Sequence, residues 1–421
     1  MSRRFQRPRG TFDLLPPDSE FWVWLENVAR EIFGQYGYRE MRTPVFEARE
    51  LFERGVGTTT DIVEKQMYVF QDRGGDWLAL RPEGTAPILR AVVENGLHMT
   101  PPPHRYLYIG PMFRHERPQK GRFRQFHQIG VESLNESAPE IDAEIIAMAH
   151  QFCRTVGVTG VQIEINSIGC RICRPAYMQA LGVYWISHLD RLCDDCRRRA
   201  QRNPLRVLDC KQPQCRALIL DAPRIDDYWC GPCRVHFEAV LHSLERLDVP
   251  VQRNRFLVRG LDYYMRTTFE FTIPEERAQN AILGGGRYDG LLADLGGPDW
   301  PGIGFAIGVE RLIDTLHTRP QTAARPVQIV VLAIGEIQRM NALQIAQQLR
   351  AAGLRVWAYL EATSVRSGMR RAHRCGAPLV VLVGEDEQRA GTWTVRDMRS
   401  GEQQTLTPDA AVQWICTRIR E

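Results

Sequence analysis

One stretch of the chain carries side chains whose types and spacing suit the binding of a nucleotide and a small polar ligand. Arg114 and Glu116 precede a short basic loop. Three further candidates follow it at separations of two and four residues, Phe126, Gln128 and Glu132. Residues two apart on a β-strand share a face, so a hairpin here projects these side chains from one wall. Guanidinium groups bind phosphate, an aromatic ring stacks on a base, and a carboxylate beside an amide binds a polar group.

The connection between the two predicted strands is basic. Residues 117–122 carry three cations around a proline and a glycine, a composition typical of a tight turn. Gly130 lies on the same face as Glu132 and is expected to leave room for a ligand. For this stretch alone, the alternative is an ordinary β-hairpin with a solvated basic tip.

The same stretch, MFRHERPQKGRFRQFHQ at residues 112–128, resembles motif 2 of the class II aminoacyl-tRNA synthetases, and most closely the histidyl-tRNA synthetases among them. The string RGLDYY at residues 259–264 resembles a signature particular to those enzymes. GIGFAIGVER at residues 302–311 resembles motif 3, and a helix, a strand and Pro44 near the N-terminus resemble motif 1. The resemblance thus spans nearly all of the chain, with the parts in the expected order.

The resemblance implies a fold and an activity. The fold is an α+β catalytic domain built on an antiparallel sheet, with a helical insertion and a C-terminal α/β anticodon-binding domain. The activity is the ATP-dependent attachment of L-histidine to tRNA(His) through a histidyl-adenylate, with Mg²⁺ accompanying ATP. The expected assembly is a homodimer, and no membrane partner is expected.

The resemblance also assigns residues to ATP. Arg114 is expected to hold the α-phosphate, Glu116 to read the amino edge of adenine, and Phe126 to stack on its ring. Arg122 reaches the terminal phosphates. Arg311, in the first turn of the helix after motif 3, lies under the adenine and touches the γ-phosphate.

A second set is assigned to histidine, with Arg259 and Arg114 as the catalytic pair that spreads the charge on the α-phosphate. Glu83 and Thr85 address the α-ammonium group, and Glu132 and Tyr264 address the two imidazole nitrogens. The full expected set is Glu83, Thr85, Gln128, Glu132, Arg259, Tyr263, Tyr264 and Tyr288. Each segment has a structural alternative: a helix N-terminus capped by Thr85 with Glu83 beside its dipole, tyrosines that only pack, and a β-bulge at the glycines of residues 284–286.

The bulk composition is that of a globular protein. A length of 421 residues predicts two or three domains. A net charge of +4 permits nucleic-acid binding but does not imply it, because affinity for phosphates depends on local patches. The N-terminus resembles no secretory signal, and no apolar run is long enough to cross a bilayer, so a cytoplasmic location is expected.

Eight of the eleven cysteines lie between residues 170 and 233. Reduced thiols are expected in a chain of this size without a signal, and CxxC pairs in such a chain indicate structural zinc. Buried thiols that act as small hydrophobic residues are the alternative. The candidate zinc ligands are Cys170, Cys173, Cys193, Cys196, Cys210, Cys215, Cys230 and Cys233.

Hydrophobic periodicity and turn residues divide the chain into regions. The predicted domains are a catalytic domain of residues 1–169 and 248–318, a cysteine-rich helical insertion of residues 170–247, and an α/β domain of residues 326–421, with HTRPQTAAR at residues 317–325 as the linker. A strand is predicted at residues 256–259, and GGGRYD at residues 284–289 is expected to be a loop.

A helix predicted at residues 365–374 carries arginines along one face. A solvated face is the alternative, but the resemblance to an anticodon-binding domain favours contact with tRNA phosphates through Arg366, Arg370, Arg371 and Arg374. Two other functions are weighed: a non-catalytic regulatory subunit of ATP phosphoribosyltransferase, and a synthetase-like module that senses tRNA. The C-terminal domain and the complete set of pocket residues disfavour the first, and the lack of an appended module disfavours the second.

Overall fold

The computed structural model describes residues 5–119, 121–273, 281–316, 327–361 and 364–420. The chain forms two compact units, Met1–Arg319 and Pro320–Glu421. The predicted linker at residues 317–325 lies outside the described residues. Among the described helices, none has the length and apolar character that crossing a bilayer requires.

The first unit contains eleven strands and ten α-helices in its described part. The strands are β1 (Arg39–Glu40), β2 (Phe46–Ala48), β3 (Val69–Gln71), β4 (Trp77–Leu80), β5 (His104–Phe113), β6 (Gln125–Leu134), β7 (Gln162–Ser167), β8 (Gln252–Arg253), β9 (Met265–Thr272), β10 (Ala281–Arg287) and β11 (Gly302–Gly308). The helices are α1 (Asp18–Gln35), α2 (Arg49–Val56), α3 (Thr85–Glu94), α4 (Pro139–Thr155), α5 (Arg174–Ile186), α6 (Asp194–Arg202), α7 (Pro213–Ile219), α8 (Gly231–Arg246), α9 (Leu291–Asp294) and α10 (Val309–Thr315).

Eight of these strands form one sheet in the order β1-β5-β6-β11-β10-β9-β7-β8. The six central strands pair antiparallel, and only the short edge strands β1 and β8 pair parallel. The predicted antiparallel catalytic sheet is therefore confirmed. A smaller sheet of order β2-β4-β3 lies before α3 and leads the chain into the segment around Glu83.

Alternation along β6 divides the large sheet into two faces. Ile129 and Val131 are fully buried in the main core with residues of α1, α4 and α8. Gln128 and Glu132 point the other way and line a cavity. Period-two alternation thus places the apolar residues against the helices and leaves the polar ones facing the cavity.

The cysteine-rich region has a small core of its own. Tyr177, Leu181 and Trp185 of α5 are buried there with residues of α6 and α7. Helix α8 instead packs against α4, and its Phe237 and Val240 belong to the main core.

The second unit is a five-stranded sheet with helices. Its strands are β12 (Ile329–Ala333), β13 (Val356–Tyr359), β14 (Leu379–Val383), β15 (Trp393–Asp397) and β16 (Gln403–Leu406), and its helices are α11 (Arg339–Ala351), α12 (Val365–Arg374), α13 (Glu385–Ala390) and α14 (Pro408–Arg420). The sheet order is β13-β12-β14-β15-β16, with the first three strands parallel and the last two antiparallel. The predicted α/β domain is confirmed, with an antiparallel hairpin at its edge in addition.

Three local predictions are wrong. Residues 256–259 form no strand. The side-chain amide of Asn166 donates to the backbone carbonyls of Arg255 and Leu257 at 3.2 and 3.1 Å, in place of the backbone hydrogen bonds that a neighbouring strand would supply. The glycines of residues 284–286 lie inside β10 rather than in a loop, and its register with β9 shifts after Gly286. Arg114 and Glu116 do not project from the first strand of the hairpin, as predicted, because β5 ends at Phe113. They line the cavity from the irregular segment that follows it.

A buried ion pair joins the sheet to α4. The guanidinium of Arg287 contacts the carboxylate of Asp142 at 2.6 Å, and both side chains are fully buried. The Nη1 of Arg287 also donates to the carbonyl of Glu136 at 3.0 Å. Burial raises the pKa of Asp142, and the Arg287 charge opposes that rise. The Arg287 charge thus stabilises the ionised form of the buried Asp142 carboxylate.

We expect Arg287→Met to destabilise the first unit by about 3–5 kcal/mol, because it leaves Asp142 buried without its counter-charge. Urea unfolding followed by tryptophan fluorescence measures this. The control is Arg54→Met, which removes a pair with Glu50 whose side chains are 69% and 77% exposed, and should cost less than about 0.5 kcal/mol. Equal unfolding midpoints for the two variants would contradict the importance of the buried pair.

Candidate active site

The large sheet and the segments beside it enclose one cavity. Every residue that the sequence analysis assigns to histidine or ATP lines it. These residues are Glu83, Thr85, Arg114, Glu116, Arg122, Phe126, Gln128, Glu132, Arg259, Tyr263, Tyr264, Tyr288 and Arg311. They come from five parts of the chain that are distant in sequence, so the fold brings together what the sequence separates.

Glu132 lies at the centre of one end of the cavity. Its Oε1 accepts a hydrogen bond from the Thr85 hydroxyl at 2.7 Å, and its Oε2 accepts one from the Tyr288 hydroxyl at 2.5 Å. The side chain is buried, and burial raises its pKa to about 8 against these hydrogen bonds. Burial thus favours the protonated form of this carboxyl in the ligand-free protein.

The neighbouring strand makes room for this carboxyl. Gly304 of β11 pairs with Glu132 of β6, and a Cβ at position 304 would collide with the Glu132 carboxylate. A glycine is thus required at the position of β11 over which the Glu132 side chain extends.

Glu83 has a structural partner as well as a place in the cavity. Its carboxylate accepts from the backbone N–H groups of Thr85 and Ala86 at 2.8 and 2.9 Å and so caps α3. The capping group is Glu83 and not Thr85, whose hydroxyl is directed to Glu132. Burial raises the pKa of Glu83, while the two amides oppose the rise.

Tyrosines form the wall beside Glu132. The rings of Tyr263 and Tyr264 lie 4.7 Å apart between centroids, and those of Tyr263 and Tyr288 lie 5.7 Å apart. The hydroxyl of Tyr263 reaches the Thr85 hydroxyl at 3.5 Å. Burial raises the pKa of Tyr264 to about 12, so its hydroxyl keeps its proton and can donate.

Tyr108 belongs to this wall and was missed by the sequence analysis. It pairs with Gly130 across β5 and β6, and its ring fills the space where a Cβ at position 130 would lie. The expectation that Gly130 leaves room for a ligand is therefore wrong, since the glycine accommodates a tyrosine. An aromatic residue two positions from Tyr106 on the same strand face was the available signal.

Arg259 lies across the glycines of β10. A Cβ at Gly284 would collide with its guanidinium group, so the glycine lets the side chain lie against the strand. Its Nη1 donates to Glu270 Oε1 at 2.5 Å. Glu270, the second missed residue, projects into the cavity from β9 and balances the Arg259 charge. The alternation of residue types along the segment that forms β9 was its only signal.

The opposite end of the cavity is cationic and includes the ring of Phe126. The Arg114 guanidinium lies 5.1 Å from the centre of the Phe126 ring, and its Nε donates to the Pro82 carbonyl at 2.9 Å. Arg122 contacts Glu116 at 3.2 Å. This end thus offers guanidinium groups beside a ring and a carboxylate.

Arg311 holds the basic turn and faces the same space. Its Nε donates to the Gly121 carbonyl at 3.2 Å. Burial lowers the pKa of Arg311, and the charges of Arg114 and Arg122 lower it further. Like charges concentrated this closely favour a polyanionic ligand.

His127 lies on the other face of the sheet, as its position between Phe126 and Gln128 predicts. Its Nδ1 lies 3.0 Å from Glu310 Oε1, and its ring meets Trp22 edge-on with centroids 4.9 Å apart. The residue packs between α1 and α10 and takes no part in the cavity.

The eight clustered cysteines form two groups of four. The base centre contains Cys170, Cys173, Cys230 and Cys233, and the inner centre contains Cys193, Cys196, Cys210 and Cys215. Within each group all sulfurs lie within 4.8 Å of one another, and no disulfide joins any cysteine of the described residues. The first CxxC pair thus meets the last, an arrangement that the sequence order alone does not reveal.

In the second unit, α12 presents its arginines to solvent. Arg366, Arg370, Arg371 and Arg374 are all exposed. The guanidinium of Arg371 lies over the ring of Tyr359 at 4.9 Å, which separates it from the other three. Arg366, Arg370 and Arg374 recur every fourth residue and form one stripe.

The raised pKa of Glu132 has a measurable consequence. Between its ordinary pKa of 4.5 and about 8, the carboxyl is protonated in the folded protein and ionised in the unfolded one. Its contribution to stability therefore decreases as pH rises through this window, by up to about 1.4 kcal/mol per pH unit. We expect Glu132→Gln to remove this contribution, so that wild type loses stability relative to the variant between pH 5 and 8. Urea unfolding of the ligand-free proteins across that range measures the difference.

The matched control for this experiment is Glu94→Gln, because the Glu94 side chain is 64% exposed. Its stability curve should run parallel to that of wild type. A Glu132→Gln curve that also ran parallel would mean that the carboxyl ionises normally in the folded protein.

Comparisons with known proteins agree with this geometry. The family model described as histidyl-tRNA synthetase matches residues 10–175 and 230–312, and an anticodon binding domain model matches residues 328–418. The chain is 48% identical over 398 residues to a histidine–tRNA ligase of Halothermothrix orenii, covering 94% of this chain and 95% of the relative. It is 45% identical over 412 residues to a histidine–tRNA ligase of Syntrophotalea carbinolica, covering 98% of each.

A solved structure is similar along the whole chain. The crystal structure of apo histidyl-tRNA synthetase from S. aureus has a TM-score of 0.82 and 33% sequence identity, and the match covers 98% of this chain and 100% of that one. Matches of this extent in sequence and in fold, together with the cavity described above, show that the chain belongs to the histidyl-tRNA synthetase family.

Proposed function

We propose that this protein attaches L-histidine to tRNA(His) in two steps, through a histidyl-adenylate formed from ATP. The observation that carries the proposal is the single cavity, which joins a buried carboxyl and tyrosine cluster at one end to an arginine-lined pocket at the other. The hydroxyl and carboxyl groups of the first end can hydrogen-bond a small side chain with two polar ring nitrogens. The arginines and the Phe126 ring of the second end can bind a polyphosphate that carries a flat base. Family membership supports the same activity.

At the histidine end, Glu132 and Tyr264 address the two imidazole nitrogens. Glu132 accepts from one N–H, and the protonated Tyr264 hydroxyl donates to the other nitrogen. The substrate α-ammonium group is bound by Glu83 and by a free lone pair on the Thr85 hydroxyl, with Gln128 beside it. Tyr263 and Tyr288 line the same end, and Tyr288 fixes the orientation of Glu132.

At the ATP end, Phe126 stacks on adenine and Glu116 accepts from its amino group. Arg114 binds the α-phosphate and Arg122 the terminal phosphates. Arg311, which approaches from α10, lies under the base and reaches the γ-phosphate. We propose Mg²⁺ as the ion that accompanies ATP, where it would neutralise phosphate charge.

The first step forms a mixed anhydride. A carboxylate oxygen of histidine attacks the α-phosphorus, the bond from that phosphorus to the bridging oxygen of the β-phosphate breaks, and pyrophosphate leaves. Such a transfer needs positioning and charge stabilisation more than a protein nucleophile. Arg259 and Arg114 supply the charge at the α-phosphate, which makes them the catalytic residues of the proposal. A hydroxyl of the tRNA 3′-terminal adenosine then attacks the acyl carbon, the bond from that carbon to the phosphate oxygen breaks, AMP leaves, and the hydroxyl proton is released.

Selectivity for histidine follows from desolvation. An amino acid that lacks an imidazole would desolvate this end of the cavity without supplying the two hydrogen bonds that the ring makes to Glu132 and Tyr264, and so loses their free energy. Sites that hydrogen-bond a substrate in this way reject analogues by about 10⁴-fold or more.

The second unit is proposed to bind the anticodon region of tRNA, with phosphates along the stripe of Arg366, Arg370 and Arg374 and with Arg371 as a further contact. We also propose that the enzyme is a homodimer and acts in the cytoplasm, where its tRNA is used. Zinc in the cysteine groups would have a structural role and no part in acyl transfer.

The non-catalytic alternatives have less support. A regulatory subunit of ATP phosphoribosyltransferase has no need for a complete cavity with Arg114 and Arg259 in place, nor for the second unit. A module that only senses tRNA has no need for the histidine end.

The test is ATP–pyrophosphate exchange with each of the twenty amino acids. We expect exchange with histidine and values of kcat/KM about 10⁴-fold lower for the others. Exchange driven by a different amino acid would overturn the assignment of the pocket. Histidine binding without exchange would favour the regulatory alternative.

The same assay tests Arg259. We expect Arg259→His to lower kcat for exchange by about 10²–10³-fold, because a donor at the developing charge is lost, while KM for histidine changes little. Arg255→His is the matched control, since Arg255 contacts Asp226 outside the cavity at 3.4 Å and should be neutral. A loss confined to KM would remove Arg259 from the catalytic pair.

A third experiment tests the arginine stripe. We expect Arg366→Glu combined with Arg370→Glu to lower kcat/KM for tRNA aminoacylation, and to reduce the slope of log affinity against log salt by about 2, while leaving exchange unchanged. Arg389→Glu on α13 is the control, because its side chain is 78% exposed in the same unit. Equal salt slopes for the stripe variant and wild type would mean that the stripe is a solvated face.

A further inference from the structure

We infer that the cysteine-rich insertion is a two-zinc module whose metal centres hold the loop of residues 257–264 in the conformation that places its side chains in the cavity. That loop carries Arg259, Tyr263 and Tyr264. The metal content rests on the sulfur geometry alone, whereas the effect on histidine binding also rests on the proposed function.

The sulfur geometry fits tetrahedral zinc. Zinc–sulfur bonds of about 2.3 Å in a tetrahedron place the sulfurs about 3.8 Å apart. In the base centre, the Sγ of Cys170 lies 3.7 Å from the Sγ atoms of both Cys173 and Cys230, and the Sγ of Cys173 lies 3.8 Å from that of Cys233. In the inner centre, Cys193 lies 3.9 Å from Cys210. Disulfides require about 2.0 Å. In each group all four sulfurs lie within 4.8 Å of one another, so one ion placed between them could contact all four.

The base centre closes the insertion at both ends. Cys173 directly precedes α5, where the chain enters the insertion, and Cys230 directly precedes α8, where it returns. Helix α8 packs against α4 of the main core, so one half of this centre is fixed to the body of the enzyme. A metal bound here ties the entry of the insertion to that fixed half.

The inner centre lies between two short helices that each bury few apolar side chains. Helix α6 buries only Cys196 and Ala200, and α7 buries Cys215, Leu218 and Ile219. Two of these five buried side chains are therefore ligands of the inner centre. Small units of this kind commonly obtain their stability from a structural metal.

The loop that the insertion contacts has no regular structure of its own. Residues 257–264 form neither helix nor strand, so their backbone groups find partners elsewhere. Arg206 Nη1 donates to the Arg259 carbonyl at 3.0 Å. Asn203 Nδ2 donates to Asp262 Oδ1 at 2.9 Å, and Arg174 Nη1 donates to the Tyr264 carbonyl at 2.8 Å.

All three donors depend on a metal centre. Arg174 follows Cys173 in the chain, and its backbone N–H donates to the Cys170 carbonyl at 3.0 Å. Asn203 and Arg206 follow α6, which carries Cys196 of the inner centre. Loss of metal would therefore release the loop from three sides and loosen the histidine end of the cavity, although no cysteine touches the cavity itself.

The first test measures metal in the full-length protein purified without added metal. We expect inductively coupled plasma mass spectrometry to find two zinc ions per chain. Cys210→Ser with Cys215→Ser should lower this to one, and Cys416→Ser, outside both centres, should keep two. Replacement by Co²⁺ should give the absorption of tetrahedral thiolate coordination. Iron in place of zinc, less than one zinc per chain, or a content indifferent to the cysteine changes would overturn the zinc assignment.

The second test separates positioning from folding, because cysteine variants can simply unfold. Arg206→Met removes one donor to the loop while leaving both centres intact, so we expect two zinc ions and cooperative unfolding with a midpoint lowered by no more than the loss of one buried hydrogen bond. KM for histidine in exchange should rise about tenfold while KM for ATP stays constant. Arg202→Met is the matched control, since its exposed side chain contacts Glu64 and not the loop. Unchanged KM for histidine in Arg206→Met would overturn the positioning role.

These outcomes are distinguishable from failure of the proposed function. Two zinc ions with no histidine-dependent exchange would remove the function and leave the metal centres in place. Histidine-dependent exchange in a protein without zinc would remove the metal centres and leave the function in place.

Discussion

The arrangement of the cavity depends on one buried carboxyl, that of Glu132, whose side chain extends from β6 over the neighbouring strand β11. Glu132 has no access to water, and its two oxygens accept from hydroxyl groups that belong to α3 and to the segment after β10. Burying such a group without partners costs several kcal/mol, so the elements that supply the partners must be in place together. Gly304 on the paired strand removes the one Cβ that would prevent it. The register of β6 against β11 and the position of α3 are therefore parts of a single constraint, and the selectivity of the cavity follows from it.

The same sheet serves stability and binding because its two faces are independent. On β6, Ile129 and Val131 meet the helical side, where apolar burial stabilises the fold. Gln128 and Glu132 alternate with them and face the cavity. The buried ion pair of Arg287 with Asp142 lies where the two faces meet. Arg287 is the last residue of β10 and directly precedes Tyr288 of the cavity, so the pair fixes this end of the strand. A residue can thus be assigned to packing or to chemistry by the parity of its position, provided that the strand is continuous.

Parity and resemblance explain what could be predicted from the sequence. The strands that carry the cavity residues, the antiparallel sheet and the α/β domain follow from local patterns, and motif likeness selects the residues that converge. The errors arise where a distant partner decides the local structure. Asn166 takes the carbonyls that a strand at residues 256–259 would need, and the Tyr108 ring takes the space at Gly130. The grouping of the cysteine pairs is equally non-local, because sequence order allows several groupings and the fold brings the first CxxC pair to the last.

Charge balance explains how a cavity with four converging arginines remains folded without a ligand. Arg259 is paired with Glu270 and Arg122 with Glu116, so two of the cations already have counter-charges. Arg114 and Arg311 donate to backbone carbonyls instead, and burial lowers the pKa of both. A polyphosphate would add negative charge where the unpaired cations lie, and it would not have to displace either carboxylate. Binding energy is therefore available at Arg114, the residue proposed for the α-phosphate, while Arg259 is held in position by Glu270 before the substrate arrives.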